Sequence, residues 1–105
     1  MSKYICVICK PGQLPELCEI DASLEGMQKA VGGYLELFYA TESGLDFFCN
    51  EEGKLIDLPF NKFFFGDYIV GNILVTSHND DGETVSLSEA QAWEALLMLI
   101  NNNIQ

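Results

Sequence analysis

The chain has 105 residues, 49% of them hydrophobic, and its sixteen acids and five bases give a formal net charge of −11. This length suits a single domain, residues 1–105, that buries roughly two-thirds of its unfolded surface without help from a disulfide or a metal. All five bases are lysines, so the chain lacks the arginine and the basic footprint that bind phosphates. We expect no direct nucleic-acid binding and, if its partners are charged, basic ones.

The sequence carries no sign of membrane insertion or export. No apolar run approaches the roughly 20 residues of a membrane span. The apolar run after Lys3 ends at Lys10, which is too early for a signal-peptide core, and no small-residue cleavage site follows. We therefore expect no membrane contact and a cytoplasmic protein with reduced thiols.

The first 21 residues predict a β-hairpin. Residues 4–9 are a β-branched apolar run typical of a buried strand, and residues 10–15 contain the Pro and Gly of a turn. Residues 16–21 then alternate polar and apolar side chains, as a half-buried strand does.

A short helix follows the hairpin. Asp21 or Ser23 can cap its start by accepting a backbone N–H bond. Gly32 and Gly33 supply the left-handed backbone that ends a helix. Its apolar residues share one face: Leu24, Met27 and Val31.

The middle of the chain predicts further strands joined by polar turns. Residues 50–54 and 78–83 have turn composition, whereas residues 60–66 are aromatic without a period and have no predicted type. The predicted strands are residues 34–41, 45–49 and 69–76.

The clearest predicted element is a C-terminal helix. A capping box can form between Ser86 and Glu89 or between Ser88 and Gln91. The predicted core-facing stripe is Trp93, Leu96, Leu97 and Ile100, widened by Ala90, Met98 and Leu99. The order ββ-α-ββ-β-α predicts an α+β fold, a mainly antiparallel sheet of about five or six strands with two helices packed on it.

The cysteine pair in Cys6-Val7-Ile8-Cys9 has metal-site or redox spacing but lies in a predicted strand. Residues three apart on a strand point to opposite faces, so Cys6 and Cys9 are expected to diverge. A structural zinc site also needs four ligands, yet Cys18 and Cys49 are isolated in the sequence and His78 lies far along the chain. We interpret the cysteines as core residues, with a metal site or redox chemistry as the alternatives.

No other motif predicts chemistry. His78 has no nearby nucleophile on an ordered element, and residues 80–83 lack the ligand spacing of a calcium loop. The glycine pairs lack the strand–loop–helix setting of a phosphate loop. We therefore expect no catalytic residue, no metal ligand and no cofactor, hence not an enzyme; an enzyme or ligand-binding domain would require a deep pocket with convergent polar groups.

Two features exceed the background of a soluble domain. All seven phenylalanines lie between residues 38 and 65, and three consecutive aromatic residues cannot all face one core. The stretch is either a binding surface, for a protein partner or a second copy, or a doubly buried strand or core loop. The candidate interaction surface, with nearby acids, is Phe60, Phe63, Phe64, Phe65, Asp67, Glu51 and Glu52.

The second feature is the array of acids from Glu16 to Glu94. It is interpreted as a solubilising surface. The alternative is an acidic mimic of nucleic acid that inhibits a host DNA-binding or defence protein.

Several segments resemble a family of small proteins named domain of unknown function 3846 (DUF3846). They are EIDASLEGMQKAVGGYLE (19–36), CNEEGKLIDLPFNK (49–62), IVGNILV (69–75) and VSLSEAQ (85–91). Lys62 stands where an arginine is expected in this family. The resemblance implies a setting in bacteria, phages or mobile elements, and it implies no activity, catalytic residue or cofactor. The function expected is a non-enzymatic protein-interaction module.

Overall fold

The computed structural model describes residues 2–105. Within this range the chain forms nine strands and two α-helices. In chain order they are β1 (Lys3–Cys9), β2 (Glu16–Asp21), α1 (Leu24–Val31), β3 (Leu35–Ala40), β4 (Asp46–Asn50), β5 (Phe60–Phe64), β6 (Asp67–Val70), β7 (Ile73–His78), β8 (Thr84–Val85), α2 (Glu89–Leu99) and β9 (Asn103–Ile104).

The strands form two sheets. The larger has six strands in the order β2-β1-β7-β4-β3, with β8 paired to the end of β7, and all its pairings are antiparallel. The smaller sheet has the order β6-β5-β9, and β9 runs parallel to β5. The predicted α+β class and mainly antiparallel sheet are confirmed.

The larger sheet is buried on both faces because alternate side chains of each strand point in opposite directions. Helix α1 covers one face, where the buried residues are Cys6, Met27, Val31 and Leu74. Helix α2 and the smaller sheet cover the other face. There the main core is Val7, Cys9, Leu45, Phe47, Cys49, Phe64, Ile69, Ile73, Val75, Leu87, Ala92, Ala95 and Leu99.

Helix α1 begins and ends as predicted. The side chain of Ser23 accepts a hydrogen bond from the backbone N–H of Gly26, and Gly32 ends the helix with a left-handed φ of 80°. Gly26 lies so close to the chain before the helix that a Cβ added there would clash with the carbonyl oxygen of Asp21. The helix therefore sits closer to β2 than a side chain at this position allows.

The prediction of one strand over residues 69–76 is wrong. Gly71 has a φ of 74° and interrupts the strand. The side chain of Asn72 then donates a 3.0 Å hydrogen bond to the carbonyl oxygen of Ala30. The chain thus leaves β6 in the smaller sheet and enters β7 in the centre of the larger one.

Helix α2 has the predicted start but a different buried face. The Ser88–Gln91 capping box is present. The residues buried against the sheet are Ala92, Ala95 and Leu99, whereas Trp93, which was predicted to face the core, is 61% exposed. Small alanines let the helix approach the sheet closely. The sequence did not identify this face as the buried one, because the neighbouring face of α2 is also apolar. Between residues 2 and 105 neither helix is long and apolar enough to cross a membrane.

Lys62 ties the end of α2 to β5. Its side chain is buried, with 2% relative exposure. The ammonium donates hydrogen bonds to the carbonyl oxygens of Leu99, at 3.0 Å, and Asn101, at 3.2 Å. A cation is favoured at a helix C-terminus, where carbonyl groups lack partners within the helix. Lys62 therefore caps α2.

Candidate interaction surface

The hairpin of β5 and β6 displays aromatic rings on its outer face because β5 contains a bulge. The strand register shifts between Phe60 and Lys62, leaving Asn61 as an extra residue. A bulge offsets the alternation of side chains by one residue. Phe60 and Phe63 consequently share the outer face, while Lys62 and Phe64 point inwards.

Asn61 fixes the bulge in place. Its buried side-chain amide donates to the carbonyl oxygens of Cys9, at 2.9 Å, and Gly71, at 2.8 Å. These bonds satisfy backbone groups of the larger sheet and of the break between β6 and β7. The positions of the outer rings thus depend on a buried polar anchor.

The aromatic surface, defined here as Phe60, Phe63 and Tyr68, is a continuous apolar patch. The ring centroids of Phe60 and Phe63 lie 5.0 Å apart, and Tyr68 is the partner of Phe63 across the strands. The three side chains have relative exposures of 47%, 52% and 45%. Half of each residue therefore already packs on the protein, and the other half is available for contact.

Charged residues border the aromatic surface on the side of Tyr68. The Lys54 ammonium lies 3.0 Å from the Asp67 carboxylate and 4.1 Å from the centre of the Tyr68 ring. The hydrogen bond from Lys54 lowers the pKa of Asp67, and the hydrogen bond from the Tyr68 backbone N–H contributes in the same direction. The hydrogen bond to Asp67 in turn raises the pKa of Lys54. Lys54, Asp67 and Tyr68 line a cleft of about 90 Å³. Glu51 and Leu55 also line this cleft. Lys54 is thus already neutralised, and Glu51 leaves the rim acidic.

Phe65 occupies the tip of the hairpin in an unfavourable backbone conformation. Its φ is 46°, and that of Gly66, the next residue, is 88°. Two-residue hairpin turns of this kind favour Asn or Gly at such positions, because other side chains collide with the backbone. The Phe65 ring stacks on Tyr39 with centroids 4.6 Å apart and planes at 27°. This stacking offsets part of the backbone strain and directs the ring towards Tyr39 and Phe64 rather than towards the aromatic surface.

The structure separates the seven predicted surface residues. Phe60, Phe63, Asp67 and Glu51 lie on or beside the aromatic surface, and Phe65 is at the hairpin tip. Phe64 is 4% exposed and belongs to the core, because it follows Phe63 in the strand alternation. Glu52 is exposed on the preceding turn, and the cleft that contains Glu51 does not include it.

The family model described as Domain of unknown function (DUF3846) matches residues 3–99. The chain belongs to the DUF3846 family. No curated protein and no solved structure matches it significantly. The family match runs from β1 to the end of α2, so it includes both cores and the aromatic hairpin.

Sequence reasoning missed a second apolar surface of this DUF3846 domain. A groove of about 320 Å³ runs between α2 and the hairpin of β1 and β2. We name it the helix groove, and its lining includes Ile5, Leu17, Leu87, Ala92, Trp93 and Leu96. The groove exists because α2 packs on the larger sheet through its alanine face, which leaves larger apolar side chains uncovered. In the sequence, the only sign of this groove was that α2 has more apolar residues than one buried face needs.

His78 is the last residue of β7 rather than a loop residue. Its Nδ1 atom lies 2.8 Å from the Asp46 carboxylate, which is nearly buried in β4. The pair therefore joins two neighbouring strands. Among residues 2–105, no group of three or more His, Cys, Asp and Glu side chains is arranged to hold a metal ion.

The cysteines of the DUF3846 domain lie as predicted with one exception. Cys6 packs under α1 and Cys9 in the main core, so the two point to opposite faces of the sheet. Cys18 is not isolated, because its sulfur lies 3.8 Å from that of Cys6. The β1–β2 register places these two residues opposite one another.

Proposed function

We propose that this DUF3846 domain is a non-enzymatic protein-interaction module that docks a basic protein on its aromatic surface. The observation that carries the proposal is the row of half-exposed rings of Phe60, Phe63 and Tyr68 on one outer face. Aromatic residues are enriched in protein interfaces and supply much of their binding energy. The proposal keeps the cytoplasmic setting in a bacterium, phage or mobile element that the family resemblance implies.

The charge of the chain supports a basic partner. The net charge is −11, and Lys54, the cation at the aromatic surface, is paired with Asp67. The negative charge of the whole chain attracts a partner surface that carries Lys or Arg around an apolar pocket. Arginine also stacks on the faces of aromatic rings. We therefore infer a partner with an apolar pocket and a basic rim.

The distribution of the acids favours aromatic docking over the mimicry of nucleic acid. Glu25 lies on α1 and Glu89 on α2, which cover opposite faces of the larger sheet. Glu16 and Glu19 also point to opposite faces of β2, by strand alternation. A mimic needs its carboxylates along one face that can enter a basic groove.

The test is an affinity pull-down from a lysate of the cells that carry the protein, with three forms of the chain. The forms are the wild type, the double variant Phe60→Ser/Phe63→Ser, and a control double variant, Trp93→Ser/Leu97→Ser. The control also removes two exposed apolar side chains, but from α2. Circular dichroism checks that both variants keep the secondary structure of the wild type.

We expect wild type and control to retain one stoichiometric basic protein at both low and high salt, and the aromatic variant to lose it. Loss from the control alone would place docking at the helix groove and contradict the proposal. A partner that leaves the wild type at high salt and is displaced by DNA would support the mimic instead. Retention of no stoichiometric basic protein by the wild type would also contradict the proposal.

A further inference from the structure

Two cysteines meet at the edge of the larger sheet. Cys6 of β1 and Cys18 of β2 are direct partners in the strand register. Their sulfur atoms are 3.8 Å apart. Cys6 is fully buried, whereas Cys18 is partly exposed on the outermost strand of the sheet. One thiol is therefore accessible from solvent, and the second lies directly behind it.

The strand register of Cys6 and Cys18 is compatible with the Cα spacing of a cross-strand disulfide. Directly opposed residues of antiparallel strands have Cα atoms about 4.5–5.5 Å apart. Disulfides join residues whose Cα atoms are about 4.4–6.8 Å apart. The Cβ atoms of opposed residues are about 4.5–5.5 Å apart and those of a disulfide about 3.5–4.5 Å. The two sulfur atoms can therefore close from 3.8 Å to bonding distance by rotation of the side chains with a small local approach of the two strands.

The surroundings of Cys18 favour its thiolate. Cys18 lines an open pocket of about 370 Å³ whose charged lining balances three lysines, Lys3, Lys10 and Lys29, against three acids, Glu16, Glu19 and Asp21. The hydrogen bond with the Cys6 thiol lowers the pKa of Cys18, and Lys10 contributes in the same direction, against burial and Glu16. The same hydrogen bond and burial raise the pKa of Cys6. Cys18 therefore ionises first, and thiolates are the reactive form.

We propose that Cys6 and Cys18 form a thiol-oxidation site that hydrogen peroxide converts into an intramolecular disulfide. The Cys18 thiolate attacks one peroxide oxygen, the O–O bond breaks, and hydroxide leaves and takes up a proton to become water. This step makes Cys18 a sulfenic acid. The Cys6 sulfur then attacks the Cys18 sulfur, the S–O bond breaks, and a second water leaves with the Cys6 proton. Two thiols are oxidised as one peroxide is reduced to two waters.

The remaining cysteines serve as internal controls. Cys9 and Cys49 are buried in the main core, and burial raises the pKa of each thiol. The Cys9 sulfur contacts the side chain of Asn61 rather than another thiol. A buried, neutral thiol is inert towards peroxide. Oxidation is thus expected to link Cys6 with Cys18 and to leave the other two of the four cysteines as free thiols.

The test exposes the purified, reduced protein to hydrogen peroxide and follows it by intact mass, free-thiol titration in denaturant, and mass spectrometry of unreduced peptides. We expect the chain to lose the mass of two hydrogen atoms, the thiol count to fall from four to two, and a linked peptide to join Cys6 with Cys18. A Cys49→Ala variant is expected to behave likewise, whereas Cys18→Ser keeps all its remaining thiols. Cys18 oxidised to a sulfinic acid beside a reduced Cys6, a link to another cysteine or chain, or four unreacted thiols would each overturn the proposal.

Discussion

Replacement of Phe64 by Ala is expected to destabilise the fold severely, whereas replacement of its neighbour Phe63 is not. Phe64 is 4% exposed and Phe63 is 52% exposed. The Phe64 ring packs against four other rings with centroids 5.0–5.3 Å away: Phe38, Tyr39, Phe47 and Phe65. The contrast tests whether strand alternation in β5 places the consecutive residues Phe63 and Phe64 on opposite faces.

The magnitudes follow from burial. Truncation of a buried Phe to Ala costs about 3–5 kcal/mol through lost burial and a residual cavity. This range is the whole measured cost of the truncation, so it already includes the aromatic contacts that a buried Phe makes. We therefore expect Phe64→Ala to lower the free energy of unfolding by about 4 kcal/mol, a large part of the roughly 5–15 kcal/mol of a typical domain. For the half-exposed Phe63 we expect a loss below about 1 kcal/mol.

Urea unfolding followed by circular dichroism measures both values. With a typical slope of about 2 kcal/mol per molar urea, the midpoint of Phe64→Ala shifts down by about 2 M. The midpoint of Phe63→Ala shifts by less than about 0.5 M. Equal shifts for the two variants, or the larger shift for Phe63→Ala, would refute the assignment of inner and outer faces.

Three further changes test other parts of the structure by urea unfolding. Lys62→Met leaves two carbonyl groups at the end of α2 without a donor, and we expect a loss of about 2 kcal/mol; unchanged stability would show that the cap contributes nothing. Gly26→Ala is expected to destabilise the protein although alanine favours helices, because its Cβ meets the backbone of Asp21; a gain would contradict the close approach of α1. Burial raises the pKa of the Cys49 thiol from 9.0 to about 11, so its contribution to stability is complete below pH 9 and is lost as the pH rises towards 11. Between pH 8 and pH 10 the free energy of unfolding should therefore fall by about 1 kcal/mol more in the wild type than in Cys49→Ala. An equal fall in the two proteins would contradict the raised pKa of Cys49.

Local signals in the sequence predicted much of the fold. The first hairpin is recognisable because its turn residues separate two strand patterns, and α1 because Ser23 and Gly32 mark its ends. The Ser88–Gln91 capping box identified the start of α2 in the same way. In each case the decisive interaction joins residues close in sequence.

The errors concern interactions between distant residues. The break at Gly71 depends on β6 and β7 joining different sheets, which residues 69–76 do not reveal. The buried face of α2 depends on how closely the helix approaches the sheet. The contact between Cys6 and Cys18 depends on the hairpin register, since a slip of one residue would point them to opposite faces.

The candidate surface was predicted in part for the same reason. An aromatic run that cannot all be buried pointed to residues 60–65, but simple alternation would have put Phe60 and Phe63 on opposite faces. The bulge at Asn61, anchored by hydrogen bonds to Cys9 and Gly71, places them together. Tyr68 joins them only through the pairing of β5 with β6.

The most direct test of the account is the affinity of the captured partner for single-site variants, measured by isothermal titration calorimetry. Phe63→Ala removes the central ring of the aromatic surface, whereas Trp93→Ala removes a similarly exposed ring from α2. The account predicts that Phe63→Ala weakens binding at least tenfold, about 1.4 kcal/mol, and that Trp93→Ala leaves the Kd unchanged. An unchanged Kd for Phe63→Ala, with the protein still folded, would contradict the central claim.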